Sequence, residues 1–270
     1  MLPTSHRDDL MHRLFLLLLT SLALLTLRMD SGAGALRATH PALAALPAEL
    51  VWAWERPEDL RWLPLDVGVA YVASSVLLQG EDARVYRRAS ALLLAPGAAR
   101  VPVLHVDMSW RRPPALSEAQ SRRVADEVLR LAAQANRKVV QLDFEVRRSQ
   151  RPFLARTIGA IRARLDPSIA LSVTALASWC LDDYWLHEIA ADEVVPMAFR
   201  MGPAQHALRA RLLHQGGFTR ARCGAAIGFS SDEPMMAVRE GRRYYFSPQA
   251  WSAARWQALR STPRSTIPSR

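Results

Sequence analysis

Between residues 50 and 246 the chain repeats one pattern: short runs rich in β-branched and other apolar residues, with stretches of helical periodicity between several of them. Eight such runs stand at 50–54, 67–73, 101–106, 138–144, 169–174, 193–199, 223–228 and 242–246. Strands that alternate with helices imply right-handed crossovers and a parallel sheet. Eight of them in a chain of 270 residues fit a closed (β/α)8 barrel of the TIM type, which occupies about 250 residues. An open doubly wound sheet competes with that layout. Its dinucleotide-binding form needs a Gly-rich turn after the first strand, and none follows residues 50–54.

The intervening stretches carry helix signals. Ser117-Glu118 offers an N-cap and an early acid, and Val124, Val128, Leu131 and Ala135 line one face of the helix that follows. Pro152 opens a second near its first turn, with Leu154, Ile158, Ile161 and Leu165 as its stripe. Residues 203–216 end at Gly216-Gly217, a natural C-cap, and 248–259 carry Trp251 and Trp256. The interval 79–97 breaks the pattern, and 84–88 followed by 91–94 predict a hairpin or irregular insertion instead of a helix.

Upstream, Arg7 and Arg13 precede an apolar run over 14–27, and Ala33-Gly34-Ala35 follows it. A basic start, a short apolar stretch and an A-x-A site predict a secretory signal peptide. The run is short against the roughly 20 residues of a membrane span, and an uncleaved anchor is the alternative. The expected organisation is a signal peptide or N-terminal anchor over 1–35, a barrel domain over 36–260, and a disordered tail over 261–270, where Pro, Ser and Thr abound. The protein is thus expected in the periplasm or outside the cell. The alternative is tethering to the inner membrane through residues 14–27, facing the periplasm.

The net charge is +10. Removing residues 1–35 takes away Arg7, Arg13 and Arg28 with Asp8, Asp9 and Asp30, so the charge is unchanged. Such a surface attracts anionic glycans, lipid or nucleic acid. No zinc-finger spacing, basic helix or aromatic-basic stripe supports nucleic acid. Cys180 falls after the C-terminal end of one run and Cys223 at the start of another, hence at opposite ends of a barrel, so no disulfide is expected. No His-x-His or Cys-x-x-Cys spacing marks a metal site, and no cofactor is implied.

Chemistry concentrates in the fourth run. Side chains alternate across a strand, which puts Gln141, Asp143 and Glu145 on one face and Leu142 and Phe144 on the other. Two carboxylates at a strand end suit proton transfer at a barrel mouth; a solvated edge or partners for arginine fit the same pair. The other strand ends add Trp54-Glu55, Ser74-Ser75, His105 with Asp107 and Trp110, Ser178-Trp179, Arg200, and Ser230 with Asp232. Indoles stack on the C–H faces of sugar rings, and Glu55, Asp107, Gln141 and Arg200 could bind the hydroxyls. Each tryptophan alone also fits a helix top packed on the barrel; three at one rim favour a carbohydrate site. Ser178 lacks the G-x-S-x-G elbow of a nucleophilic serine.

Trp52-Ala53-Trp54-Glu55-Arg56-Pro57, Gln141-Leu142-Asp143-Phe144, 149–153, 171–179 and Val195-Pro196-Met197 resemble a bacterial family catalogued as domain-of-unknown-function family 3142. The resemblance runs from about Leu50 to Gly228 and implies a glycosidase-like barrel. A more distant similarity is to family-18 (chitinase-type) glycoside hydrolases, with Asp-x-x-Asp-x-Asp-x-Glu on the fourth barrel strand. It puts Glu145 at the proton-donor position and Asp143 at that of the acid that orients the substrate's N-acetyl group. Gln141 and Lys138 replace the other two acids, and Met197-Ala198-Phe199 resembles the sixth-strand Met-x-Tyr without its hydroxyl.

The leading expectation is an exported glycoside hydrolase-like barrel that acts on or binds a polysaccharide at its C-terminal face. Glu145 is its general acid, with a pKa raised by burial, and Asp143 stabilises charge at the anomeric carbon. Asp107 and Glu55 are candidates for a second carboxylate. The alternatives are a catalytically inactive barrel that binds glycan or a partner, and a membrane-tethered assembly factor.

Overall fold

A computed structural model describes residues 39–262 apart from 184 and 238–240. The signal or anchor expected over 1–35 and residues 263–270 of the expected tail lie outside the described residues. The strands, in chain order, are β1 (Glu49–Ala53), β2 (Glu58–Leu60), β3 (Val67–Gln79), β4 (Asp82–Arg87), β5 (Leu92–Leu94), β6 (Arg100–Met108), β7 (Val139–Asp143), β8 (Ala170–Leu176), β9 (Glu193–Met197), β10 (Ala226–Ser230) and β11 (Arg242–Phe246). The helices are α1 (Pro41–Ala44), α2 (Glu118–Ala132), α3 (Arg151–Arg164), α4 (Ala177–Leu181), α5 (Gln205–Gln215) and α6 (Ala253–Ser261).

Eight strands pair in parallel in the order β1-β3-β6-β7-β8-β9-β10-β11, and β11 pairs with β1 to close the ring. The fold is a (β/α)8 TIM-type barrel, and the acid-bearing β7 is its fourth strand. Alternation along each strand sorts the residues. Leu50, Trp52, Val101, Val103, Val139, Ala170, Val195, Tyr244 and Phe246 fill the interior. Their neighbours Val51, Ala53, Val140, Leu142, Leu171 and Val173 face outward into the core shared with the helices. α2 starts on a capping box of Ser117 and Gln120 and buries Val124, Val128 and Leu131. Gly216, at φ 70°, ends α5 as the sequence predicts.

Polar side chains join the interior below the mouth. Trp52 Nε1 donates to Gln141 Oε1 at 2.9 Å, and Gln141 Nε2 donates to Ser172 Oγ at 3.1 Å. Ser172 Oγ and Tyr244 OH each donate to Glu193 Oε2 at 2.8 Å, and Arg242 pairs with the other oxygen of Glu193. Burial, first, and the Glu193 charge push the Tyr244 pKa well above its ordinary value, so the phenol keeps its proton.

The irregular interval holds no helix, but its two short runs do not pair with each other as a hairpin of 84–88 with 91–94 would require. β3 continues six residues past the expected 67–73, turns at Gly80 (φ 48°) and returns as antiparallel β4. β2 and β5 pair in a small parallel sheet of their own. Pairing of β3 with β6 runs to Leu78↔Met108, whereas pairing of β6 with β7 stops at His105↔Asp143. β4, β3 and β6 therefore rise past the rest of the rim as a wall.

Two expectations are corrected. Cys180 and Cys223 form a disulfide, with Cα atoms 6.0 Å apart. Cys180 sits on α4, which leaves the end of β8, and the turn around Cys223 lies beside it. Arg220 and Arg222 of that turn donate to the carbonyls of Leu181, Ile189 and Ala191. The strand expected over 223–228 is Ala226–Ser230, because the amides of Cys223 and Gly224 close a turn on the Arg220 carbonyl. Cys223 therefore precedes the strand and is not held at the opposite end of the barrel from Cys180. Among the described residues no helix is long and apolar enough to cross a membrane.

Candidate functional site

At the C-terminal face a cleft of about 500 Å³ is lined by Trp54, Arg56, His105, Asp143, Glu145, Met197, Phe199, Arg200, Phe246, Ser247 and Pro248. That volume suits a small-molecule or oligomer-end site. A second hollow of about 520 Å³, against β5, carries Arg61, Arg88 and Arg100 but no carboxylate. The acids make the mouth cleft the candidate.

Asp143 is the last residue of β7 and faces inward. His105 Nδ1 lies 2.7 Å from its Oδ2, and Thr174 Oγ1 donates to its Oδ1 at 2.5 Å. His105 Nε2 in turn lies 3.2 Å from Asp107 Oδ2. Burial alone would lower the His105 pKa, but hydrogen bonds to Asp107 and Asp143 and the charges of both push it up to about 10. The imidazolium donates on both sides and holds Asp107 below the usual carboxylate range. The row Asp107–His105–Asp143 is a hydrogen-bonded strut with one imidazolium between two carboxyl groups. Both oxygens of Asp143 are engaged.

Glu145 stands two residues beyond Asp143 on the same face and makes no hydrogen bond or ion pair with any described residue. Glu145 is exposed at the cleft and not buried as expected, yet desolvation there, first, and the negative charge of Asp143 push its pKa up; the His105 cation opposes this and Asp107 adds to it. A carboxyl group that is unengaged and has a raised pKa is suited to give up a proton. Trp54, Phe199 and Phe246 supply the apolar lining. Trp54 meets Trp52 at 4.3 Å and His105 at 5.5 Å, both edge-on, and Phe199 lies 4.9 Å from Phe246. On the far side Arg200, at φ 47°, contacts Ser230 at 3.2 Å and Asp232 at 3.0 Å.

The structure thus brings Trp54, Asp143, Glu145, Met197 and Arg200 to one cleft, with Asp107 behind His105. It does not bring Gln141, which is fully buried one inward position below Asp143 and bridges Trp52 and Ser172. Glu55 turns away and accepts the amides of Ala89 and Ser90 at 3.0 and 2.9 Å. Ser178 and Trp179 lie on α4; Trp179 is buried against Trp185 at 5.1 Å. Trp110, 79% exposed, does not line the cleft. Only Trp54 of the three rim tryptophans lines it. Arg56, Phe246, Ser247 and Thr174 escaped sequence reasoning. Inward parity along 242–246 could have found Phe246, and the parity of Thr174 with Ser172 could have found the partner of Asp143.

Among the described residues no group of three or more His, Cys, Asp or Glu side chains is arranged to hold a metal ion. Compared with family models, curated proteins and solved structures, the chain matches none.

Proposed function

We propose that this protein is an exported glycoside hydrolase-like barrel that holds a polysaccharide across the mouth cleft and cleaves it with Glu145 as general acid. The observation that carries the reading is the division of labour between two neighbouring carboxylates. Both oxygens of Asp143 are held by His105 and Thr174, while Glu145 is unengaged with a raised pKa. Two neighbouring carboxyl groups in such different environments suit an acid and its electrostatic partner. Trp54 and Phe199 offer apolar surface for sugar rings, and Arg200 offers donors for hydroxyls or an anionic substituent. The disulfide favours an oxidising compartment, consistent with export.

One observation favours binding without turnover. Among the described residues Asp143 and Glu145 are the only carboxylates lining the cleft, and Asp143 has no oxygen free to act as nucleophile or base. Hydrolysis then needs help from the substrate, as from an acetamide beside the anomeric carbon, or else the cleft only binds. Both readings require a glycan in the cleft. To test this, the full chain is mixed with chitin, cellulose, xylan, peptidoglycan and an anionic polysaccharide, reading co-sedimentation and new reducing ends. Binding to at least one, weakened several-fold by Trp54→Ala, is expected; a wild-type chain that sediments with none contradicts the proposal.

A further inference from the structure

The wall above the mouth carries a second feature on its cleft-facing side. Register pairs Tyr86 with Ser75, Ser75 with His105, and His105 with Asp143. Residues paired across neighbouring strands share a face, so Tyr86 lies in one transverse row with the fixed strut of the cleft. Strand spacing places its Cα about 10 Å from that of His105. The next row pairs Arg84 with Leu77 and Leu77 with Asp107. The opposite face of β3 is different in kind. Ser74, Val76 and Leu78 are buried there, and Ser74 bonds Glu127 of α2 at 2.6 Å.

Tyr86 is 53% exposed, an unusual use of a large ring on a short hairpin strand. Its position is nonetheless rigid. Arg88, two residues on, donates to the carbonyls of Trp54 at 2.8 Å, Val72 at 3.1 Å, Arg56 at 2.6 Å and Ser90 at 3.0 Å. This clamp ties the end of β4 to the rim beside Trp54. An exposed ring on a strand clamped at its end, in one row with the strut of the cleft, offers a stacking platform.

We infer that the β3–β4 hairpin forms an additional sugar-ring subsite, with Tyr86 as its platform and Arg84 beside it to meet ring hydroxyls, so that the cleft binds an extended chain along the wall. The inference rests on the glycan reading of the cleft. The occupant is the continuation of the same polysaccharide, because the row leads without interruption from Tyr86 to Asp143.

Isothermal titration of the full chain with chitin, cello- and xylo-oligosaccharides of two to six units tests it. Wild-type affinity should rise with length in at least one series. Tyr86→Ala should weaken the longest oligomer roughly tenfold and leave the disaccharide unchanged, while Tyr86→Phe should bind like wild type. An unchanged melting temperature in each variant separates lost stacking from lost folding. Equal affinities of Tyr86→Ala and wild type at every length, with Trp54→Ala still weakened, overturn the subsite and leave the cleft standing. Absence of any binding by the wild type, to these oligomers and to fragments of peptidoglycan and of the anionic polysaccharide alike, overturns the cleft reading itself.

Discussion

His105 shows how one residue can set the electrostatics of the mouth. Its folded-state pKa is raised to about 10 by the two aspartates that flank it, above the ordinary value of about 6.5. A raised pKa means that folding favours the protonated form. The stabilisation is therefore complete below about pH 6.5 and is lost as pH climbs through about 10. Urea unfolding between pH 6 and 10 should show stability falling with pH, and His105→Gln should flatten that slope; an equally steep decline in the variant would count against the strut. Residue identity told much of this story in advance. Asp143 and Glu145 share a face, as the alternation along 138–145 predicts, and Trp54, Met197 and Arg200 join them. Gln141 shares that face too, but alternation gives a side and not a depth, and one inward step below Asp143 is already closed interior. Trp179 was out of reach of the same logic, since β8 ends at Leu176 and the chain turns into α4 before it.

Connecting elements explain the larger surprises. The Cys180–Cys223 bond closes a separation of 43 residues and staples α4 to the turn before β10. Loop-closure entropy for that span corresponds to about 4 kcal/mol. Cys180→Ser with Cys223→Ser should lose a substantial part of this in denaturant titrations, and reductant should reproduce the loss in the wild type; matching stabilities of oxidised and reduced protein contradict a structural role. The pairing was hidden because it depends on where short connections run, and no periodicity records that. The hairpin was half legible: composition over 79–97 rejects a helix, but the length of β3 follows only from its partners. Val76 and Leu78 bury against the outer core, which holds the strand together above the ring. α2 and α3, with long apolar stripes and clear starts, were legible throughout.

For the whole molecule, eight apolar runs with helices between several of them were enough to point to the barrel, because closure leaves one inward and one outward face per strand. The sequence hides that the inward face is partly polar. Glu193, buried near the floor, joins Arg242, Tyr244 and Ser172 across three strands. Removing one partner of a buried ion pair leaves the other charge unpaired, and costs about 3–5 kcal/mol. Glu193→Ala should lose stability on that scale in equilibrium unfolding, whereas a loss below about 1 kcal/mol would show that water replaces the carboxylate. The floor fixes β7 to its neighbours, and β7 in turn presents Asp143 and Glu145 to the cleft. The proposed role of Glu145 as proton donor rests on that chain of support. The direct measurement is turnover and affinity of Glu145→Gln beside wild type on the polysaccharide that the full chain binds. Turnover should fall by roughly a hundredfold or more, with affinity held within a few-fold; unchanged turnover in Glu145→Gln contradicts the role given to this residue.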